Sequence, residues 1–260
     1  MRTLLITGGS SGIGLATVQL FVSKDWTIFE LSRSGVSSPA VTHVDCDVTD
    51  EDSVQNAVAE VMQHTDVIDV VISNAGFGIS GPIEFTQIEA AQKQFDVNLF
   101  GAIRLTKAVL PILRNQGYGR IIYTSSVAAD LSIPYQSFYS ASKSALNAIA
   151  LALANEVRCF GIQVSVLMPG DVATGFTDAR EKSIAGVEVY GALQSAVAAM
   201  EKDERGGMSP MDMAKCLYRM STCRNPRPLY IGGGIYKVFC CLNRLLPKRL
   251  VNWIVGKLYS

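Results

Sequence analysis

The stretch Tyr139-Ser140-Ala141-Ser142-Lys143, with Ser125-Ser126 shortly before it, has the residue types and spacing to do chemistry. Residues four apart share a face of a helix, so a helix here would point the Tyr139 hydroxyl and the Lys143 ammonium into one pocket. A phenol titrates near pH ~10, too high for a base at neutral pH, and a cation a few ångströms away favours the phenolate and lowers that value. The pair is a candidate acid–base device. By itself it is equally an exposed helical pair, since the spacing recurs by chance, so the surrounding elements must decide.

Those elements alternate. Short β-rich apolar runs predict strands at 3–7, 27–32, 41–45, 67–73, 119–124, 162–168 and 229–231. Segments of helical period lie between most of them, among them 12–24, 51–63, 87–113 and 138–159. Strand and helix in alternation imply βαβ crossovers and a parallel sheet covered on both faces. The reading is α/β: one Rossmann-type, doubly wound domain with a seven-stranded parallel sheet over residues 1–233, with no internal repeat and no low-complexity linker.

A chain of 260 residues, 48% apolar, is long enough for one large core. A formal net charge of zero argues against a nucleic-acid-binding body, which needs a basic surface to meet phosphates. Cys46, Cys159, Cys216, Cys223, Cys240 and Cys241 include no Cys-x-x-Cys, and only His43 and His64 could add nitrogen ligands, so no metal site is expected. Scattered thiols fit a reducing compartment. The apolar run after Met1 is too short for a signal peptide, and no window offers the ~20 apolar residues of a membrane span. A cytoplasmic protein is expected, with peripheral membrane association the alternative.

The turn Thr7-Gly8-Gly9-Ser10-Ser11-Gly12-Ile13-Gly14 follows a strand and opens a helix. Glycine there permits positive φ and close approach of a pyrophosphate, and the helix N-terminus offers free amides and a favourable dipole. The bland reading is a tight turn with no ligand; the strand before and the helix after favour dinucleotide binding. After the second strand, Arg33 and Ser34 suit the 2′-phosphate of NADP, whereas Glu30 is an acid of the kind that holds the ribose hydroxyls of NAD. The balance favours NADP, with NAD open. Asp47-Val48 either holds an adenine edge or caps the next helix. Asn74-Ala75-Gly76 ends the fourth strand, where small residues let backbone approach a cofactor or Asn74 holds a turn. Asn98 sits inside a predicted helix, where asparagine is unfavoured, so it either finds buried partners or is recruited for a role.

In this order and spacing, Thr7-Gly8-x3-Gly12-x-Gly14, Asp47-Val48, Asn74-Ala75-Gly76, Asn98, Ser126, Tyr139-x3-Lys143 and Pro169-Gly170-x-Val172-x-Thr174 resemble the motifs of the classical short-chain dehydrogenases/reductases, over nearly the whole chain from Thr3 to about Ile231. The resemblance implies an NAD(P)-dependent oxidoreductase with a catalytic tetrad of Asn98, Ser126, Tyr139 and Lys143. Tyr139 would exchange the proton with the substrate oxygen, and Ser126 would hydrogen-bond that oxygen. Lys143 would hold the nicotinamide ribose and lower the tyrosine pKa, and Asn98 would hold a water in the proton relay. Pro169, Gly170, Val172 and Thr174 would cover the nicotinamide. The segment 175–207, with Gly186, Gly191 and Gly206-Gly207, would be a mobile substrate lid. The implied partners are an alcohol or carbonyl substrate and a second copy or three, as a homodimer or homotetramer. A non-catalytic NAD(P)-binding sensor is the alternative on this fold, and such proteins usually lose the tyrosine or lysine.

Beyond the seventh strand, 234–260 has apolar residues at near-helical spacing with Lys237, Arg244, Lys248, Arg249 and Lys257 between them, and Pro247 breaks it into two pieces. No acidic residue follows Asp212. Such a basic amphipathic segment either packs on the protein's own body or a second subunit, or lies on an anionic membrane. Similar extensions in family members acting on steroids and retinoids suggest an apolar, lipid-like substrate.

Overall fold

The computed structural model describes residues 2–259. Seven parallel strands form one sheet: β1 (Thr3–Thr7), β2 (Thr27–Ser32), β3 (Val41–Asp45), β4 (Val70–Ser73), β6 (Gly119–Thr124), β7 (Ile162–Pro169) and β9 (Leu229–Gly232). Their spatial order is β3-β2-β1-β4-β6-β7-β9. A separate pair, β5 (Ile79–Ser80) and β8 (Glu181–Lys182), is too short to leave a pattern in the sequence. The order reverses direction between β1 and β4, and a crevice opens there at the carboxyl ends of the strands, where ligands bind in such sheets.

Alternation along the strands sorts side chains onto two faces. Leu4 and Ile6 of β1 pack with Phe21 of α1 (Gly12–Val22) and with Met213, Leu217 and Met220 of α8 (Pro210–Thr222). Leu5, between them, joins the opposite layer, with Val54, Val58 and Val61 of α2 (Glu51–His64), Leu105 and Val109 of α4 (Ala102–Gln116), and Leu146 and Ala150 of α5 (Ser137–Glu156). The expected doubly wound sheet is therefore present, buried on both sides.

Some boundaries differ from expectation for identifiable reasons. Residues 67–69 do not extend β4, because the Gln116 side chain takes both backbone groups of Ile68, accepting from its N–H at 3.1 Å and donating to its carbonyl at 3.0 Å. The single helix expected over 87–113 is α3 (Ile88–Phe95), a π-helical turn Asp96–Gly101, and then α4. The helix expected to run to 159 stops at Glu156, and Gly161, at φ 72°, ends the short 3-10 turn Arg158–Phe160 that follows.

The segment expected as a lid is structured: α6 (Phe176–Ala179), β8, and α7 (Leu193–Arg205) are laced together by ion pairs. Arg180 pairs with Glu204 and Lys182 with Glu201, while Arg205 reaches Asp178 at 2.9 Å. After β9, α9 (Gly234–Leu245) and α10 (Lys248–Leu258) are separated at Pro247. Among the described residues, no helix is long and apolar enough to cross a membrane.

Candidate active site

The crevice holds a cavity of about 260 Å³ whose floor is the ends of four strands: Gly8 after β1, Asn74 after β4, Ser125 and Ser126 after β6, and Pro169 of β7. At its dinucleotide end, Gly8 and Gly12 have φ of 65° and 52°, a region that side chains avoid. A Cβ on Gly14 would stand 2.0 Å from the Gly8 carbonyl oxygen, so only glycine lets α1 lie this close to the turn. Ser11 is the N-cap of α1 with its hydroxyl unspent on capping, and no acid occupies the first turn. The free amides and dipole of the helix therefore face the cavity uncompensated, a cradle that fits a pyrophosphate.

The turn is held from beneath. Asn74 donates its side-chain amide to the Gly8 carbonyl at 3.1 Å, and the Thr7 hydroxyl accepts from the Asn74 and Ala75 amides at 3.1 and 3.2 Å. Asn74 and Ala75 thus fix the turn and, with Gly76, line the cavity. Glu30, expected as a possible ribose ligand, is instead 4% exposed and lies under the turn. It accepts from the Gly9 amide at 2.8 Å and the Ser32 hydroxyl at 3.1 Å, and its second oxygen is 2.7 Å from His43 Nδ1. For His43, burial lowers the pKa, but the hydrogen bonds with Glu30 and Asp45 outweigh it and raise the imidazole overall.

Several expected cofactor residues lie outside the cavity wall. Ser10, Arg33 and Ser34 are exposed, the last two just beyond β2. Asp47 accepts from the amide and hydroxyl of Thr49 at 2.9 and 2.7 Å, bonds that hold its carboxyl below the ordinary range. The cap of α2 is Asp50, which accepts from Ser53 at 2.8 Å, so the capping alternative for Asp47 is excluded. The Val48 side chain packs against Gly101.

At the other end, Ser126, Tyr139 and Lys143 share the cavity wall. The Lys143 ammonium is buried, donates to the Thr124 carbonyl at 2.9 Å and lies 5.9 Å from the centre of the Tyr139 ring. Burial with no anionic partner pushes it down to about 8. Burial also pushes the Tyr139 phenol up to about 12, with the Ser126 hydroxyl's hydrogen bond acting the other way. Lys143 thus stands over the Tyr139 ring, and burial is the largest influence on both groups.

Asn98 is 1% exposed in the π-helical turn. Its side chain clamps the Phe77 backbone, accepting from the amide and donating to the carbonyl, each at 3.0 Å, and donates to Ser142 at 3.2 Å. These bonds account for an asparagine inside a helical run. A Cβ on Gly76 would come 3.0 Å from Asn98 Oδ1 and 3.4 Å from Lys143 Nζ, so both converge on that backbone. Both Nδ2 protons of Asn98 are used in its bonds to Phe77 and Ser142, while Oδ1 keeps a second lone pair that could accept from a water.

Pro169, Gly170, Val172 and Thr174, expected over the nicotinamide, line the cavity, and Val172 bridges to Met208. Phe77, Ile133, Phe176, Ala179 and Met200 form an apolar wall that the sequence did not single out. Phe176 lies 5.7 Å from Tyr139, ring to ring. Beside this wall Arg180 is buried, and Glu204, which also lines the cavity, accepts from Thr177 at 2.7 Å as well as from Arg180. The tail closes one side: the Tyr236 ring covers Gly170, its hydroxyl donates to Asp171, and Tyr259 lines the cavity itself. Packing on the chain's own body is therefore what the inner face of the extension does.

A glycine cradle at the switch point of a doubly wound sheet, beside a tyrosine and a buried lysine on the same cavity wall, defines a nicotinamide-dinucleotide oxidoreductase. The chain belongs to the short-chain dehydrogenase family, whose model matches residues 2–185. Members use NAD or NADP and act on alcohol and carbonyl groups. The chain is 34% identical to a 3-ketodihydrosphingosine reductase of Bacteroides thetaiotaomicron, over 100% of this chain and 98% of that protein. It is 32% identical to retinol dehydrogenase 8 of Bos taurus, over 86% and 79%. A short-chain dehydrogenase from Streptomyces avermitilis superimposes with a TM-score of 0.82 at 26% identity, covering 98% and 97% of the two chains.

Proposed function

We propose that this protein interconverts a lipid-like ketone and its secondary alcohol, with NADP as the preferred cofactor and Tyr139 as the group that exchanges the proton. The observation that carries this reading is the meeting of Ser126, Tyr139 and Lys143 on the wall of one cavity, together with a cluster of apolar side chains. When bound, the dinucleotide supplies or accepts the hydride. The Tyr139 hydroxyl, protonated at neutral pH, gives its proton to the substrate oxygen during reduction, and Ser126 donates a hydrogen bond to the same oxygen. Lys143, brought to about 8 by burial, is placed to restore that proton and to hold ribose hydroxyls. Asn98 positions the Gly76–Phe77 backbone against which Lys143 lies.

NADP is supported by the side chains around β2. Glu30 is spent beneath the glycine turn, leaving Arg33 and Ser34 as the exposed groups beyond the strand, and a guanidinium and a hydroxyl suit a phosphate. The apolar wall of Phe77, Ile133, Phe176, Ala179 and Met200 supports an apolar substrate, in keeping with the sphingoid ketone and retinol in the names of two relatives. Residues 1–233 act as the catalytic domain, with 175–207 over the substrate and 234–260 as an extension. Phe100 and Leu151, half exposed on the helices beside the site, suit a homodimer or homotetramer contact.

The test is NADPH absorbance against a panel of long-chain, steroid, retinoid and sugar carbonyls. Tyr139→Phe should lose about a thousandfold in turnover while binding NADPH as the wild type does. Wild-type turnover in that variant would refute the assignment.

A further inference from the structure

The two C-terminal helices are amphipathic in an inverted sense. On α9, Tyr236, Cys240 and Asn243 face the body: Tyr236 covers Gly170, Cys240 is 1% exposed, and Asn243 donates to the Asp130 carbonyl at 2.8 Å. The opposite stripe, Ile235, Val238, Phe239, Leu242 and Leu245, is apolar and faces outward. On α10 the outward stripe is Leu250, Trp253, Ile254 and Leu258, with Trp253 61% exposed. Large apolar side chains at helical spacing on the outer faces of two consecutive helices leave apolar surface of a kind that seldom stays bare on a soluble protein. Lys237, Arg244, Lys248, Arg249 and Lys257 lie along it, and no acid follows Asp212 anywhere in the chain. Tyr259, the residue after α10, lines the cavity that holds Tyr139 and Ser126.

We propose that the outer face of α9 and α10 docks on an anionic lipid surface and that the end of α10 forms the mouth through which a lipid ketone passes from the leaflet to Tyr139. The charge pattern selects this occupant. A second copy meeting the patch across a two-fold axis would set Lys237, Lys248 and Arg249 against the same three cations, and neither segment carries an acidic side chain. A bilayer offers acyl chains to the apolar stripe and anionic headgroups to its basic flanks, and Trp253 is the side chain most favoured at that boundary. Because α10 ends at the cavity, a helix seated in the interface sets the pocket mouth at the depth where apolar ketones partition. The docking stands on the patch alone, whereas the delivery step rests on the function proposed above.

Sedimentation with vesicles tests the docking. The full chain should pellet with vesicles of phosphatidylcholine mixed with phosphatidylserine, bind phosphatidylcholine vesicles at least about tenfold more weakly, and be released by salt. Leu245→Glu/Trp253→Glu should abolish pelleting while still binding NADPH by nucleotide fluorescence, which reports a folded body. Failure of the wild type to pellet with the mixed vesicles would overturn the proposal. So would a dimer, seen by analytical ultracentrifugation, that this variant dissociates, because the patch would then belong to a second copy. For delivery, a long-chain ketone dissolved in the mixed vesicles should be reduced about tenfold faster by the wild type than by the variant, with equal rates in detergent micelles. Equal rates on vesicles would sink the portal. If no carbonyl is reduced in any form while pelleting persists, the proposed function fails and the docking stands.

Discussion

Lys143→Met should make the free protein more stable while destroying its activity. The Lys143 ammonium is 4% exposed, has one carbonyl as its hydrogen-bond acceptor and faces no carboxylate. Its pKa falls from 10.5 to about 8, and at ~1.4 kcal/mol per pKa step the charge costs the fold on the order of 3 kcal/mol. Methionine removes that cost and loses the bond to the Thr124 carbonyl, worth about 1 kcal/mol, for a net gain of about 2 kcal/mol. For a chain of this size the melting temperature should rise by about 5 °C. The pH dependence carries the signature. Below about pH 8 the lysine is protonated in both folded and unfolded states and the full cost is present. Between about 8 and 10.5 the unfolded chain binds a proton that the folded chain has released, so wild-type stability gains on the variant and the difference shrinks. Urea denaturation of both proteins without cofactor, at several pH values, measures this. A variant less stable than wild type at pH 7, or a gap that does not narrow with rising pH, would refute the reasoning.

Two further substitutions probe neighbouring parts of the site. Arg33→Ala should weaken NADPH about tenfold or more in fluorescence titrations and leave NADH unchanged, since only the former has a 2′-phosphate for the guanidinium; equal losses would remove the argument for NADP. Arg180→Met should destabilise the chain by about 3 kcal/mol in urea, because it leaves the Glu204 carboxylate without its cation and with only the Thr177 hydroxyl, and Arg180→Met/Glu204→Leu should recover most of that. A double variant as unstable as the single one would show that the pairing is not what holds α7 in place.

How much of this was legible in the sequence depends on how local the cause is. The glycine turn was legible because positive φ and close approach are demands on single residues, and Gly8, Gly12 and Gly14 answer them in place. Tyr139 and Lys143 were legible as a pair because helical period alone sets residues four apart on one face. The sheet followed from strand and helix in alternation, apart from β5 and β8, whose two-residue strands exist only because chain segments far apart in sequence meet above the site.

What the tertiary structure alone decided is what each of those side chains touches. Glu30 looked available to a ribose until the fold set Gly9 and His43 against it. Spacing sets Lys143 on one helix face with Tyr139, but only the fold shows that its ammonium is buried and donates to the Thr124 carbonyl, with desolvation the largest influence on both groups. Tyr259 carries no mark of function in sequence and still lines the cavity, because α9 is anchored through Tyr236 and Asn243 and α10 returns its end to the site. Sequence determines which chemistry is possible here, since residue types and local spacing are written in it. Only the folded chain decides which groups are desolvated and which are paired, because both depend on neighbours that spacing does not name.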